Sequence, residues 1–211
     1  MKVYFVRHGE TNWNKEKKIQ GQVDIPLNDF GIHLAQKTKD GLKDVIFDCC
    51  FTSPLSRAYQ TAQIILEGRE VPIIKEECIE EMSFGEYEGK CILKKKGEIP
   101  DSFEDFFIAP GKYVPPKGGE SIRHLVDRTE KFIERIKKDK ELQDKTILVT
   151  THGAALGAML YSIKQESMEN FWGTGVHKNC AVTEVEFYGD RTNIVFENKV
   201  YYDDKIEPWE R

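Results

Sequence analysis

The sequence predicts an α/β layered domain built on a mainly parallel sheet, and three observations predict it. Short β-branched or aromatic runs recur along the 211 residues. Apolar patterns of helical period lie between several of them. Three of the runs stop abruptly at charged or titratable residues.

The strand candidates are Val3–Val6, Phe47–Thr52, Val71–Ile74, Thr146–Thr151, Val182–Tyr188 and Asn193–Phe196. The first runs directly into Arg7-His8-Gly9. After the second, Ser53 suits a helix N-cap and Pro54 the first helical position. Leu55, Ala58, Tyr59, Ala62, Ile65 and Leu66 then recur at helical spacing, with Arg57 in the first turn. Ile122, Leu125, Val126, Phe132, Ile133 and Ile136 mark a further helix, whose other face carries Arg123, Asp127, Glu130, Glu134 and Lys137. Thr146–Thr151 leads through His152 and Gly153 into small residues that open another helix. The last two strand candidates flank Gly189-Asp190-Arg191 and predict a hairpin at one side of the sheet. The stretch of about residues 86–118 breaks the alternation. It holds Lys94-Lys95-Lys96, then Phe103, Phe106 and Phe107, then Pro110-Gly111 and Pro115-Pro116. It predicts a cap of short helices and loops over one edge of the sheet, inserted into a single domain spanning 1–211.

Composition narrows the function. Hydrophobic residues at 39% and charged residues at 32% exclude a disordered or membrane-embedded chain. The N-terminal apolar stretch is too short for a signal-peptide core, and no later run reaches membrane-spanning length. Five cysteines, an odd number without CxxC spacing, fit reduced thiols in a cytoplasmic chain; they support neither a disulfide framework nor a structural zinc. A net charge of −5 argues against general nucleic-acid binding. Any anion site must therefore be a local gathering of positive groups.

Parallel strands share a carboxyl edge, where ligands bind at the switch in strand order. Arg7, His8, Arg57 and His152 are predicted to meet there, with helix N-termini adding unpaired N–H donors. Two guanidiniums and two imidazoles suit a dianionic tetrahedral group such as phosphate; a carboxylate needs only one arginine fork. Alone, Arg57 reads as a solvated surface residue and His152 as a turn residue; their joint placement at strand ends is what counts. His33, His124 and His177 lack that placement and read as ordinary polar residues.

The same residues carry a resemblance. Arg7-His8-Gly9-Glu10-Thr11, followed by Asn14, resembles the R-H-G-E-T-x-x-N signature of the histidine phosphatase superfamily, the phosphoglycerate mutase-like fold. Gln20 to Leu27, Ser53 to Ala62, Glu81 with Phe84-Gly85 and Glu88-Gly89, Gly119-Glu120-Ser121 and Thr151-His152-Gly153 resemble its later blocks, in order and over nearly the whole chain. The resemblance implies a three-layer α/β/α sandwich that needs no metal and no cofactor. It implies His8 as nucleophile and Glu81 as proton donor and later base. Arg7, Arg57 and His152 would bind the phosphoryl oxygens with help from Asn14. Gln20, Gly21 and Gly153 would lie at the phosphate mouth.

The chemistry sets its own requirements. An imidazole attacks phosphorus only when neutral, so one ring nitrogen of His8 must be held by an acceptor such as a backbone carbonyl, and flanking cations must disfavour its protonation. A departing alkoxide needs a proton from a nearby carboxylic acid. Pattern alone does not choose among Glu76, Glu77, Glu80, Glu81 and Glu86; only the family alignment selects Glu81. Glu10 is expected to cap the turn that follows it. The expected partner is a small phosphate ester, not nucleic acid or membrane.

The alternatives are a cofactor-dependent phosphoglycerate mutase and a phosphate-binding module without turnover. No arginine occurs between Arg69 and Arg123, where such mutases carry a pair, and Gln20 stands where they place a small hydroxyl residue. Both departures favour a phosphatase. In the cap, Lys90, Lys94, Lys95 and Lys96 could meet a second anionic group, or form a solvated face. Phe103, Phe106 and Phe107 could wall a pocket, or fill a small core.

Overall fold

Side-chain alternation along the first strand sets the layers. In the computed structural model, which describes residues 1–189 and 191–203, β1 (Lys2–Arg7) is buried on both faces after its first residue. Val3 and Phe5 join an apolar cluster with Phe51, Phe132, Ile147, Val149 and Leu156. Tyr4 and Val6 point the other way, into a cluster with Leu42, Cys50, Ala62, Ile65 and Leu148.

From β1 the chain makes a short helix α1 (Asn12–Lys15) and a longer one, α2 (Asp29–Gly41), then β2 (Cys49–Thr52), α3 (Ser56–Ile65) and β3 (Ile73–Lys75). The segment that follows holds short helical turns at Glu77–Ile79, Gly85–Tyr87, Lys94–Lys96, Asp101–Glu104 and Pro110–Lys112, and α4 (Asp105–Ile108). Then come α5 (Ile122–Lys138), β4 (Thr146–Thr151), α6 (Gly153–Lys164), β5 (Val182–Tyr188) and β6 (Arg191–Lys199). The strands form one sheet in the order β3-β2-β4-β1-β5-β6. The first four of that order run parallel, and β5 and β6 are antiparallel at one side. Helices α5 and α6 pack together on one face and α2 and α3 on the other, so the fold is a three-layer α/β/α sandwich with a mixed sheet. Asp190, in the expected hairpin turn, lies outside the described residues.

Helix α3 starts later than Ser53 and Pro54 predict. Its N-cap position is Leu55, without a side-chain bond. Ser53 Oγ instead accepts from the N–H of Leu55 at 3.3 Å and meets His152 at 2.7 Å. The cap comes from another loop: the Asp24 carboxylate accepts from the Ser56 N–H and from Ser56 Oγ, each at 2.7 Å. A similar shift applies to Glu10. Thr11 caps α1, in a reciprocal capping box with Asn14. Glu10 reaches forward to Asn28 Nδ2 at 2.9 Å, and Asn28 is the N-cap of α2. Its role is structural, but at the next helix along.

Candidate active site

Because β4 lies between β1 and β2, the residues after these three strands become neighbours. Arg7 is the last residue of β1, in register with Thr151, and Thr52 is in register with Thr150. His8, Ser53 and His152 therefore crowd one edge. The His8 and His152 rings lie 5.2 Å apart between centroids.

His8 Nδ1 lies 2.6 Å from the Gly9 carbonyl oxygen, which can only accept, so the ring proton sits on Nδ1 and Nε2 carries the lone pair. Burial, and then the charges of Arg57 and Arg7, push its pKa well below the ordinary value. Desolvation is the larger cause, ahead of the flanking cations that the sequence points to. The strand-end backbone is held in turn: the His8 carbonyl accepts from Asn179 Nδ2 at 2.9 Å, and the Gly9 N–H donates to Thr61 Oγ1 at 3.0 Å.

Arg7 donates through Nη1 to the His177 carbonyl. Its Nε is buried with no hydrogen-bond partner. Arg57 is fully buried. Its Nη1 donates to the Val23 carbonyl at 2.9 Å, Nη2 to the Gly21 carbonyl at 2.6 Å, and Nε to His152 Nδ1 at 3.2 Å. Burial lowers the Arg57 pKa to about 10 against the pull of Glu81 and Asp24, so it stays cationic near neutral pH. His152 then has both nitrogens engaged, Nδ1 with Arg57 and Nε2 with Ser53 Oγ. It is not among the residues that line the cavity, and both of these contacts are internal to the protein.

Glu81 is buried, and both its oxygens are bound. Oε1 accepts from the N–H groups of Met82 at 2.9 Å and Ala155 at 3.1 Å, and Oε2 from that of Ala154 at 3.2 Å. Ala154 and Ala155 lie in the first turn of α6, whose N-cap, His152, makes no side-chain capping bond to the helix. Glu81 therefore caps α6 from a distance. Glu81 thus takes two N–H groups at the start of α6, those of Ala154 and Ala155, and Asp24 takes that of Ser56 at the start of α3, so these helix ends offer fewer unpaired donors than the sequence suggests.

A cavity of about 480 Å³ opens over these groups, lined among others by Arg7, His8, Asn14, Gln20, Gly21, Arg57, Glu81 and Gly153. Asn14 Oδ1 accepts from the Thr11 N–H at 3.1 Å, and Gln20 Oε1 from Thr11 Oγ1 at 2.9 Å. Gly21 has φ +51°, and a Cβ there would come within 2.0 Å of Glu88 Oε1, so a side chain at this position would be strained and would push the Glu88 carboxylate aside. That Glu88 carboxylate secures the loop through the N–H groups of Gln22 at 3.1 Å and Val23 at 3.2 Å.

The outer wall is aromatic. Phe84, Phe103, Phe106 and Phe107 line it, so the cap phenylalanines serve both as core and as pocket wall. Trp172, from the connection after α6, completes the wall: its Nε1 donates to the Phe106 carbonyl at 2.6 Å, and the two rings lie 5.0 Å apart. Of the cap lysines only Lys94 lines the cavity, and it pairs with Glu104 at 2.8 Å. Lys90 lies over the Tyr87 ring, 5.2 Å from its centroid. Lys18, Lys178, Asn179 and His177 also line the cavity without standing out in the sequence; His177 is a buried wall residue rather than an ordinary polar one. Only contacts across the fold distinguish it. Among the described residues no group of three or more His, Cys, Asp or Glu could hold a metal ion, and no helix is long and apolar enough to cross a membrane.

Similarity to known proteins agrees with this geometry. Residues 3–200 match the histidine phosphatase superfamily, branch 1, and the chain belongs to that family. It is a phosphatase enzyme. It is 35% identical over 161 residues to the phosphatase PhoE of Bacillus subtilis (strain 168), covering 76% of each chain. It is 29% identical over 196 residues to phosphoserine phosphatase 1 of Hydrogenobacter thermophilus, covering 92% of this chain and 90% of that one. The solved structure of Bacillus stearothermophilus YhfR superposes with a TM-score of 0.87 at 30% identity, over 94% of this chain and 97% of that one.

Proposed function

We propose that this chain is a metal-independent phosphomonoesterase that passes a phosphoryl group from a small ester to Nε2 of His8 and then to water. The observation that carries this reading is the buried His8 ring, with its one proton tied to Gly9, at a cavity wall beside an Arg7 Nε that has no acceptor. An unsatisfied buried donor costs about 1–3 kcal/mol, and a phosphoryl oxygen placed there removes that cost.

The His8 Nε2 lone pair forms the N–P bond while the P–O bond to the organic group breaks. The departing oxygen takes the proton of Glu81. Oε2 is the suited oxygen for that proton, because Oε1 already accepts two backbone N–H groups and Oε2 only one. In the second half, Glu81 takes a proton from water as the water oxygen attacks phosphorus, and the N–P electrons return to Nε2. Arg7 binds and stabilises the transferring oxygens. Arg57, in the lining, supplies buried charge and ties down the Gly21 loop, and His152 braces Arg57 against Ser53. Asn14, Gln20, Gly21 and Gly153 shape the mouth.

The ester's organic part is read as carrying a sizeable apolar group, because Ile99, Phe103, Phe106 and Trp172 face it. A second reading, hydrolysis of phosphoserine, draws on Asp101 and Lys178, opposite charges in the same lining that suit an ammonium and a carboxylate. It is also the activity named for the Hydrogenobacter thermophilus relative. Mutase activity is disfavoured by the Arg-free stretch from 70 to 122. The free thiols, most of them buried, suit a cytoplasmic setting.

Rapid quench with radiolabelled aryl phosphate in EDTA tests the main reading. A label on the protein that survives base, is lost in acid and is absent from His8→Ala is the expected result. Phosphate release without any such adduct overturns it. Comparing kcat/KM for aryl phosphate and phosphoserine separates the two substrate readings.

A further inference from the structure

The main chain that carries Glu81 belongs to neither helix nor strand at Glu80 and Glu81. Its carbonyls need partners all the same, and side chains supply them. The Cys78 carbonyl accepts from Arg128 Nη1 at 2.9 Å, that of Ile79 from Thr151 Oγ1 at 2.8 Å, and that of Glu80 from Arg128 Nη1 at 2.8 Å. The Glu81 carbonyl accepts from Arg128 Nη2 at 3.0 Å and from Gln22 Nε2 at 3.2 Å. One guanidinium on α5 thus grips three of four consecutive carbonyls.

Arg128 is itself locked. Its Nε donates to Glu120 Oε1 at 2.7 Å and its Nη2 to Glu120 Oε2 at 2.9 Å, a two-point fork. Glu120 then reaches the far side of the same segment: its N–H donates to the Ser83 carbonyl at 2.8 Å, and its Oε2 accepts from the Ser83 N–H at 3.3 Å. Burial would raise the Glu120 carboxyl, but the bonds from Arg128 and His124 outweigh it and hold the group below its ordinary range. Residues 78–83 are therefore clamped on both sides of Glu81, and Arg128 does not line the cavity.

We infer that Arg128, locked by Glu120, is the positioning residue for the Glu81 carboxyl in proton transfer. The inference rests on Glu81 being the acid. An error of about 1 Å in placing a reacting group costs on the order of a hundredfold in rate, and loosening this clamp moves the acid without touching substrate. A general loss of structure would slow every ester alike. A misplaced acid slows only those esters whose leaving group needs a proton.

The test is kcat/KM across phosphate monoesters from 2,4-dinitrophenyl, whose phenolate departs unaided, to a simple alkyl ester. Arg128→Met is expected to lose about a hundredfold on the alkyl ester and only a few fold on the dinitrophenyl ester. Arg128→Lys keeps the charge but not the fork and tilts the series the same way. Glu120→Gln does so to a smaller degree, and serves if the Met variant does not fold. Glu81→Gln is the reference and shows the steepest tilt. Even losses in the Arg128 and Glu120 variants beside a steep Glu81→Gln overturn the inference alone, as does an Arg128→Lys series like that of the unmodified protein. A flat Glu81→Gln series overturns the acid reading and the inference with it.

Discussion

The floor and the outer wall of the cavity are built on different principles. The floor groups come from segments that follow parallel strands, and most are pinned by charge-assisted or backbone hydrogen bonds: Arg57 by three acceptors, Glu81 by three donors, His8 through Gly9. The wall comes from two segments far apart in the chain, held by ring packing and one indole hydrogen bond. Hydrogen bonds at the floor fix single atoms to within fractions of an ångström, as covalent chemistry requires. Apolar packing in the wall specifies size and shape and tolerates exchange of one hydrophobe for another. On the proposed reading the floor sets the reaction and the wall sets which ester reaches it.

Breaking the floor should therefore end turnover, while breaking the wall should only redirect it. His8→Ala removes the proposed phosphoryl acceptor, and steady-state phosphate release should fall by at least about a thousandfold. Arg7→Met leaves the nucleophile but deletes the open Nε donor; kcat/KM should drop by the equivalent of about 2–4 kcal/mol on every ester, aryl or alkyl. Trp172→Ala should raise KM for aryl phosphates about tenfold, from about 1.5 kcal/mol of lost apolar contact, with kcat nearly unchanged and alkyl esters little affected. A kcat loss as large as the KM change would show that the wall also orients the reacting atoms, and would erase the contrast.

The smallest effect concerns stability. His8 and His152 are held well below their ordinary pKa, and His177 is lowered to about 4, all chiefly by burial. Above about pH 6.5 these rings are neutral in both the folded and unfolded states and contribute nothing. Below it the unfolded chain takes up protons that the native state refuses, so stability falls as pH falls towards the native values. Each ring adds up to about 1.4 kcal/mol per pH unit of slope in that window. Thermal melts between pH 7 and pH 5 should show Tm falling, and His177→Asn should flatten the decline by its share.

The central strands β1, β2 and β4 were legible as apolar, β-branched runs because their burial on both faces leaves little room for polar residues. Helix α5 was legible from its apolar period, whereas α2 carries a weaker pattern, with Gly31 in its first turn and Gly41 at its end. Arg7, His8, Arg57 and His152 stood out because charge at a strand end is unusual. The start of α3 was misplaced because its cap, Asp24, lies 32 residues from Ser56. His177, Trp172 and Arg128 carried no local signal, since a buried carbonyl acceptor, an indole latch and a guanidinium clamp have no sequence period.

Taken by itself, the chain's order of residues determined the layered fold, the gathering of cations at one sheet edge and the family to which it belongs. Those follow from period, from side chains beside strand ends and from ordered blocks, all of them local or linear properties. Only the tertiary structure decided which nitrogen of His8 carries the proton, that Glu81 caps α6, and that His152 stands behind Arg57. It also decided that the outer wall is shared between two distant segments. Each of these depends on a donor and an acceptor, or two rings, brought together from far apart in the chain, and no local pattern encodes such a meeting.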